Sequence, residues 1–219
     1  MRILFSLLMM FIIPAIMVVG VFYLIAKALM GITFNPDSNV WKRMVELLRT
    51  QLKAQSGTLV PWDGEMLSLL SLNRTDLRKP GFFRSVSSGV FTTVYQEPIL
   101  SYISQQSGKD RVIIAHTSDR ELILRQKIKE TEIWVDGKPF ALFIDGVLLA
   151  AGTTGRLLAR FEAAPEEALW PVVLEDKTGA AINNPARSDG PNPRAFTLLR
   201  TLNNSEENII LALMLLKTV

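Results

Sequence analysis

The last element of the chain restricts the fold most. Asn204-Ser205-Glu206-Glu207 reads as a helix start. Asn204 is placed to cap, Glu207 three residues on completes a capping box, and two acids suit the positive end of the helix dipole. Eight apolar residues then run without interruption from Ile209 to Leu216, and Lys217 follows. A helix that is apolar on every face has to be surrounded. At 1.5 Å per residue the apolar run covers about 12 Å, too short to cross a bilayer. Ile209, Ile210, Leu211, Leu213, Met214 and Leu216 are therefore expected to form a core helix buried among strands. Packing against a partner protein, or against the apolar segment at the start of the chain, is the alternative.

Strands to enclose it are available. From about residue 86 onward, short apolar runs alternate with turn residues at intervals of about ten, the pattern of a sandwich or barrel. The expected strands are 86–95, 99–104, 111–116, 121–127, 132–135, 140–144, 147–151, 156–161, 171–175 and 196–200. Asp136-Gly137 and Asp145-Gly146 are hairpin turns, because Asp and Gly tolerate the positive φ that tight hairpins need. Asp176-Lys177-Thr178-Gly179 reads as a further turn. The sequence thus predicts a mainly β domain over 86–219, a closed barrel or sandwich around the C-terminal helix.

The other end of the chain has a different character. Residues 3–26, ILFSLLMMFIIPAIMVVGVFYLIA, carry no charge. About 20 apolar residues cross the hydrocarbon core of a bilayer, so this run is long enough to span it with some tilt. Pro14 and Gly20 inside it are tolerated better in membrane helices than in soluble ones. A cleaved signal peptide fits less well: its apolar region is shorter and a small-x-small site follows, whereas the exit here reads IAKALMGITF. Residues 1–30 are thus expected as a single-pass transmembrane anchor in a cell membrane, plasma or inner. Arg2 and the terminal amine precede the span, and Lys27, Lys42 and Arg43 follow it. That excess points to a cytoplasmic C-terminal part.

Charge is distributed unevenly. The net charge is +3, but residues 1–85 hold 10 Lys/Arg against 5 Asp/Glu, while residues 86–219 hold 14 against 16. The basic character lies close to the expected span. After the turn Asn35-Pro36-Asp37-Ser38, residues Val40, Trp41, Met44, Val45, Leu48 and Leu52 recur at three- and four-residue spacing, predicting an amphipathic helix within 31–56. Its stripe packs on the domain, lies on the bilayer, or meets a neighbouring subunit. The membrane-interface set is Lys27, Trp41, Lys42, Arg43, Arg49 and Lys53, since Trp and basic side chains suit headgroups. Residues 57–85 read as a linker, in which Met66 to Leu72 is a first strand or a short helix. Arg74, Arg78, Lys79 and Arg84 make a small basic cluster in it. Nucleic acid is excluded as a partner: the folded part is slightly acidic and lacks aromatic–basic alternation.

Three segments carry a family resemblance: VDGKPFALFIDGVLLAAG (135–152), WPVVLEDKTGAAINN (170–184) and FTLLRTLNNSEENIILALMLLK (196–217). Short strands ending in a very apolar C-terminal helix resemble the tubby-like superfamily, which includes the tubby C-terminal domain, the LURP-one-related proteins and the phospholipid scramblases. The resemblance covers residues 86–219. It implies a twelve-stranded closed barrel around the C-terminal helix. Three departures go with it: the apolar anchor is at the N-terminus rather than the C-terminus, the acidic loop associated with calcium in scramblases has no counterpart, and tubby's phosphoinositide-binding basic residues find no matching positions. Scrambling and phosphoinositide binding are not carried over.

Chemistry is sparse. Without cysteine there is neither a disulfide framework nor thiol catalysis, and one histidine does not make the common zinc sites. His116 ends an expected strand beside Ser118 and Asp119, but a triad needs convergence in space that sequence does not show. Asp136, Asp145 and Asp189, each followed by glycine, and Asp176, three residues before Gly179, are turn formers. Glu162, Glu166 and Glu167 sit in a Pro/Ala-rich loop. No phosphate-binding glycine loop occurs. Trp41, Trp62, Trp134 and Trp170 are scattered as packing residues. Asn73-Arg74-Thr75 and Asn203-Asn204-Ser205 match the glycosylation pattern, which is common by chance. The sequence therefore predicts a protein without catalysis, cofactor or metal, an accessory or scaffold subunit whose partners are membrane lipids and other membrane-protein subunits. The alternative expectation is a lipid-binding or scramblase-like protein acting on anionic headgroups.

Overall fold

A computed structural model describes residues 12–13, 16–24, 35–55, 57, 59–79, 85–152, 155–175, 177–188 and 190–219. The chain divides into two compact units, Met1–Leu47 and Leu48–Val219.

In the first unit, residues 16–24 are helical. Ile16, Met17, Val18, Val19, Val21, Phe22, Tyr23 and Leu24 are each more than half exposed. Among the described residues no helix is long and apolar enough to cross a membrane. Much of the expected span, with Lys27 beyond it, lies outside the described residues. Helix α1 (Asn39–Gln55) runs across the boundary between the units. Ser38 starts it, its Oγ accepting the Trp41 N–H at 3.1 Å. Of the expected apolar stripe, Trp41, Met44, Val45, Leu48 and Leu52 are buried, whereas Val40 is exposed.

The second unit is a single twelve-stranded antiparallel sheet in sequence order. A four-residue helix, α2 (Met66–Leu69), leads into β1 (Leu70–Lys79). There follow β2 (Ser85–Thr93), β3 (Pro98–Ser107), β4 (Asp110–His116), β5 (Glu121–Gln126) and β6 (Glu130–Val135). The second half is β7 (Lys138–Ile144), β8 (Val147–Ala150), β9 (Leu157–Phe161), β10 (Leu169–Leu174), β11 (Lys177–Asn183) and β12 (Phe196–Leu198). Each strand pairs with the next, so the connections are hairpins and longer loops rather than crossovers. The sheet nearly closes on itself. Ser71 of β1 bridges Arg194 just before β12, with Leu72 N–H donating to Pro193 O (2.8 Å) and Ala195 N–H to Leu70 O (2.7 Å). Closure removes most of the exposed edge that an open sheet presents.

Both predicted hairpin turns form where the sequence placed them. Asp136 and Gly137 join β6 to β7 with φ of 49° and 73°, and Asp145 and Gly146 join β7 to β8 with 46° and 82°. These are the positive values a two-residue hairpin requires.

Helix α3 (Asn204–Thr218) fills the barrel. Ile209 through Leu216 are buried, including all six expected core residues. They share one apolar core with inward side chains from all twelve strands, among them Phe91, Leu122, Ile133, Ala141, Val172 and Ile182. Surrounding the helix is what its all-round apolarity demands. The start of the helix is one residue earlier than expected: Asn203 is the cap, its Oδ1 accepting from Glu206 N–H (3.0 Å) while Glu206 accepts from Asn203 N–H (2.9 Å). The shift frees Glu207 to turn inward.

Two expectations need correction. Residues 70–79 are not linker but β1, which pairs with β2 along Arg74 to Lys79. Its polar composition hid it, since backbone pairing rather than side-chain apolarity holds this strand. Lys177-Thr178-Gly179 begins β11 instead of forming a turn; the register shift against Val172/Val173 accommodates Gly179 as the extra residue. The amphipathic helix, Asn39–Gln55, lies within the expected 31–56 and follows the expected turn.

Candidate ligand-facing end of the barrel

The two ends of α3 have different surroundings. At its N-terminal end the β4–β5 hairpin folds over the helix. Arg120 and Glu207 form an ion pair at 3.2 Å with side chains only 9% and 7% exposed. Arg120 also reaches Asp119 (2.9 Å) and Asn208 Oδ1 (3.0 Å), and its guanidinium lies 5.5 Å from the Trp62 ring centroid. Trp62 Nε1–H donates to Glu207 Oε2 (3.3 Å), and Trp62 N–H to Ser118 Oγ (2.6 Å). Burial disfavours the charge on Arg120, but the hydrogen bond and charge of Asp119, with Glu207, hold its pKa above the ordinary value. This end is shut by a satisfied charge network.

The C-terminal end is open and more basic on β1–β4. Arg74 of β1 donates to the carbonyl of Thr218, capping the last turn of α3, and its guanidinium stacks 5.7 Å from Phe91 and 5.8 Å from Tyr102. Asp76, two residues on, takes a 3.0 Å ion pair from Arg74 and the Tyr102 hydroxyl proton. Tyr102 reaches Asp76 across Gly89, which lies between them in the register. A Cβ at Gly89 would meet Thr75 O at 1.8 Å and the Tyr102 hydroxyl at 2.9 Å, so only glycine fits without a backbone shift.

One row further toward the rim, Arg78 pairs with Ser87 and Ser87 with Ser104. Successive same-face residues along a strand are two apart, so Arg78 shares the inner face with Arg74, and Ser87 shares it with Phe91. Arg111 of β4, on the face of core residues Ile113 and Ala115, donates from Nε to Ser104 Oγ at 2.7 Å. Burial and the neighbouring Arg74 and Arg78 guanidiniums together push the Arg111 pKa below its ordinary value. An open pocket of about 500 Å³ is lined by Lys127, Lys129 and Lys217 together with Phe143, Phe161 and Leu216. Lys127 is held by Glu130 (2.6 Å) and Glu132 (3.4 Å).

The described members of the expected membrane-interface set differ in exposure. Lys42, Arg43 and Lys53 are exposed, but Trp41 is buried and presents no indole at the surface. Arg49 makes a two-pronged bond to Glu121 at the start of β5, Nε to Oε1 at 2.8 Å and Nη2 to Oε2 at 2.6 Å. That pair ties the second half of α1 to the barrel wall, and Leu48 and Leu52 in this half are buried. His116 sits 3.8 Å from Glu121 and 3.1 Å from Thr117 O. Ser118 Oγ is engaged by Trp62, and Asp119 by Arg120 and Thr117, so no triad assembles around it. Among the described residues no group of three or more His, Asp or Glu is placed to hold a metal ion.

Sequence reasoning noticed Arg74 and Arg78 only as loop charges, gave Glu207 the capping role that Glu206 holds, and missed Arg111 and Arg120. An arginine in phase with inward Ile113 and Ala115 was the available signal for Arg111. Nothing local distinguishes Glu207 from Glu206. No family model, curated protein or solved structure matches this chain.

Proposed function

We propose that this chain is a membrane-tethered, non-catalytic accessory subunit, which holds a plugged β-barrel of tubby-like design against a larger membrane assembly. The observation that carries the reading is the exposed apolar stretch at residues 16–24. Eight large apolar side chains more than half exposed on one short helix cost on the order of 10 kcal/mol in water, at about 1.5–3 kcal/mol per fully buried side chain. Lipid or an apolar partner helix must cover them. The barrel supports the non-catalytic part: its interior, where small barrels hold ligands, is occupied by α3. A twelve-stranded wall around a C-terminal helix is also the architecture that the tubby-like resemblance implies. Purification of the native full chain in mild detergent is expected to bring larger membrane subunits in fixed proportion. A monodisperse monomer at native expression level overturns the docking role.

A second reading, contact with anionic lipid, is favoured by the exposed Lys42, Arg43 and Lys53 on α1. In nanodiscs, amide exchange across α1 is expected to slow when phosphatidylserine replaces phosphatidylcholine. The slowing should vanish in 0.5 M salt and when the three residues are changed to Gln. Identical exchange in both lipids removes this reading.

A further inference from the structure

The inner face at the open end of the barrel has the composition of an anion site. Arg78, Ser87 and Ser104 form one row across β1, β2 and β3, and Arg111 reaches the end of that row by its bond to Ser104 Oγ. Adjacent strands are about 4.8 Å apart. Arg78 on β1 and Arg111 on β4 thus stand on either side of the two hydroxyls, Ser87 on β2 and Ser104 on β3. Ser104 Oγ accepts from Arg111, and the proton of this hydroxyl, on a residue only 2% exposed, is left as a donor. A dense group of donors with little acceptor capacity recognises an oxyanion.

Asp110, next to Arg111, falls on the opposite face of β4, and three other acids are paired with cations. Asp76 is taken by Arg74 and Tyr102, Glu132 by Arg125 and Lys127, and Glu130 by Lys127. Among the described residues, no carboxylate lies within ion-pair distance of Arg78 or Arg111. Burial first, and the nearby Arg74 and Arg78 charges after it, lower the Arg111 pKa, which places these guanidiniums within electrostatic reach of one another.

We propose that Arg78 and Arg111, with the hydroxyls of Ser87 and Ser104 between them, bind a phosphate group at the open end of the barrel. Two forked guanidiniums and two hydroxyl donors suit a tetrahedral dianion with three terminal oxygens, as in inorganic phosphate or a phosphomonoester headgroup. The site lies wholly within the barrel unit, so it stands whether or not the chain is tethered to a membrane or docks on a partner.

The test uses the full chain in dodecyl maltoside micelles and equilibrium dialysis against radiolabelled inorganic phosphate at constant ionic strength. Saturable binding is expected, weakened at least tenfold by Arg111→Gln and by Arg78→Gln. Arg160→Gln, an exposed arginine on β9, should leave it unchanged. Arg78 is itself exposed, so its variant keeps the test valid if Arg111→Gln fails to fold. Doping the micelles with phosphatidic acid or phosphatidylcholine then separates the sources. Displacement of phosphate by phosphatidic acid alone identifies a lipid headgroup as the ligand; no displacement by either identifies a free phosphate compound. Absence of saturable binding, or equal weakening by Arg160→Gln, overturns the site.

Discussion

Replacing Leu213 by Asp should abolish the folded barrel. Leu213 is fully buried in the middle of α3, within a core to which every strand contributes. A carboxylate there finds no water and no cation, and an unpaired buried charge is far more costly than a domain's net stability of about 5–15 kcal/mol. The expected result is loss of cooperative urea unfolding and of dispersed amide resonances. Leu213→Ala should keep the fold but lose about 2–5 kcal/mol, since the transfer and cavity terms both apply. Leu199→Asp, at an exposed site, should change stability by less than about 0.5 kcal/mol. A cooperative transition retained in Leu213→Asp would mean that α3 does not hold the barrel together.

Removing Arg120 should give the second largest effect. In Arg120→Met, Glu207 remains buried with only the Trp62 indole N–H as a neutral donor. Breaking one side of a buried ion pair typically costs about 3–5 kcal/mol. The urea midpoint should fall accordingly, with an unchanged denaturant slope showing that the unfolded state is not the cause. The double variant Arg120→Met with Glu207→Gln should recover much of the loss, because the isolated charge is gone. Equal destabilisation in single and double variants would show that packing around Trp62, not charge, closes this end of the barrel.

These two sites differ in how far the sequence exposes them. The apolar run from Ile209 to Leu216 is visible by inspection, and with it the need for an enclosing wall. Most of the wall is visible too, because β2 through β10 and β12 carry apolar alternation or bounded apolar runs with turn residues between them. The Asp-Gly hairpins are legible for a local reason, since their backbone angles depend on two residues alone. β1 beyond Leu72, and β11, escaped because their strand character is conferred by neighbours: LSLNRTDLRK is polar, and KTGAAIN starts with turn-forming residues. Pairing energy from the adjacent strand decided both.

The candidate anion site was hidden for the same reason at longer range. Arg78 and Arg111 are 33 positions apart, and their convergence depends on register across β1 to β4. Likewise Glu206 and Glu207 are adjacent and chemically identical, yet one caps the helix and the other is buried against Arg120. Local composition determined that there would be an apolar helix, a β wall and a separate apolar segment at the N-terminus, because burial and turn geometry act over a few residues. Only the closed sheet decided which charges meet, because that depends on strand order and register, which no window of sequence contains.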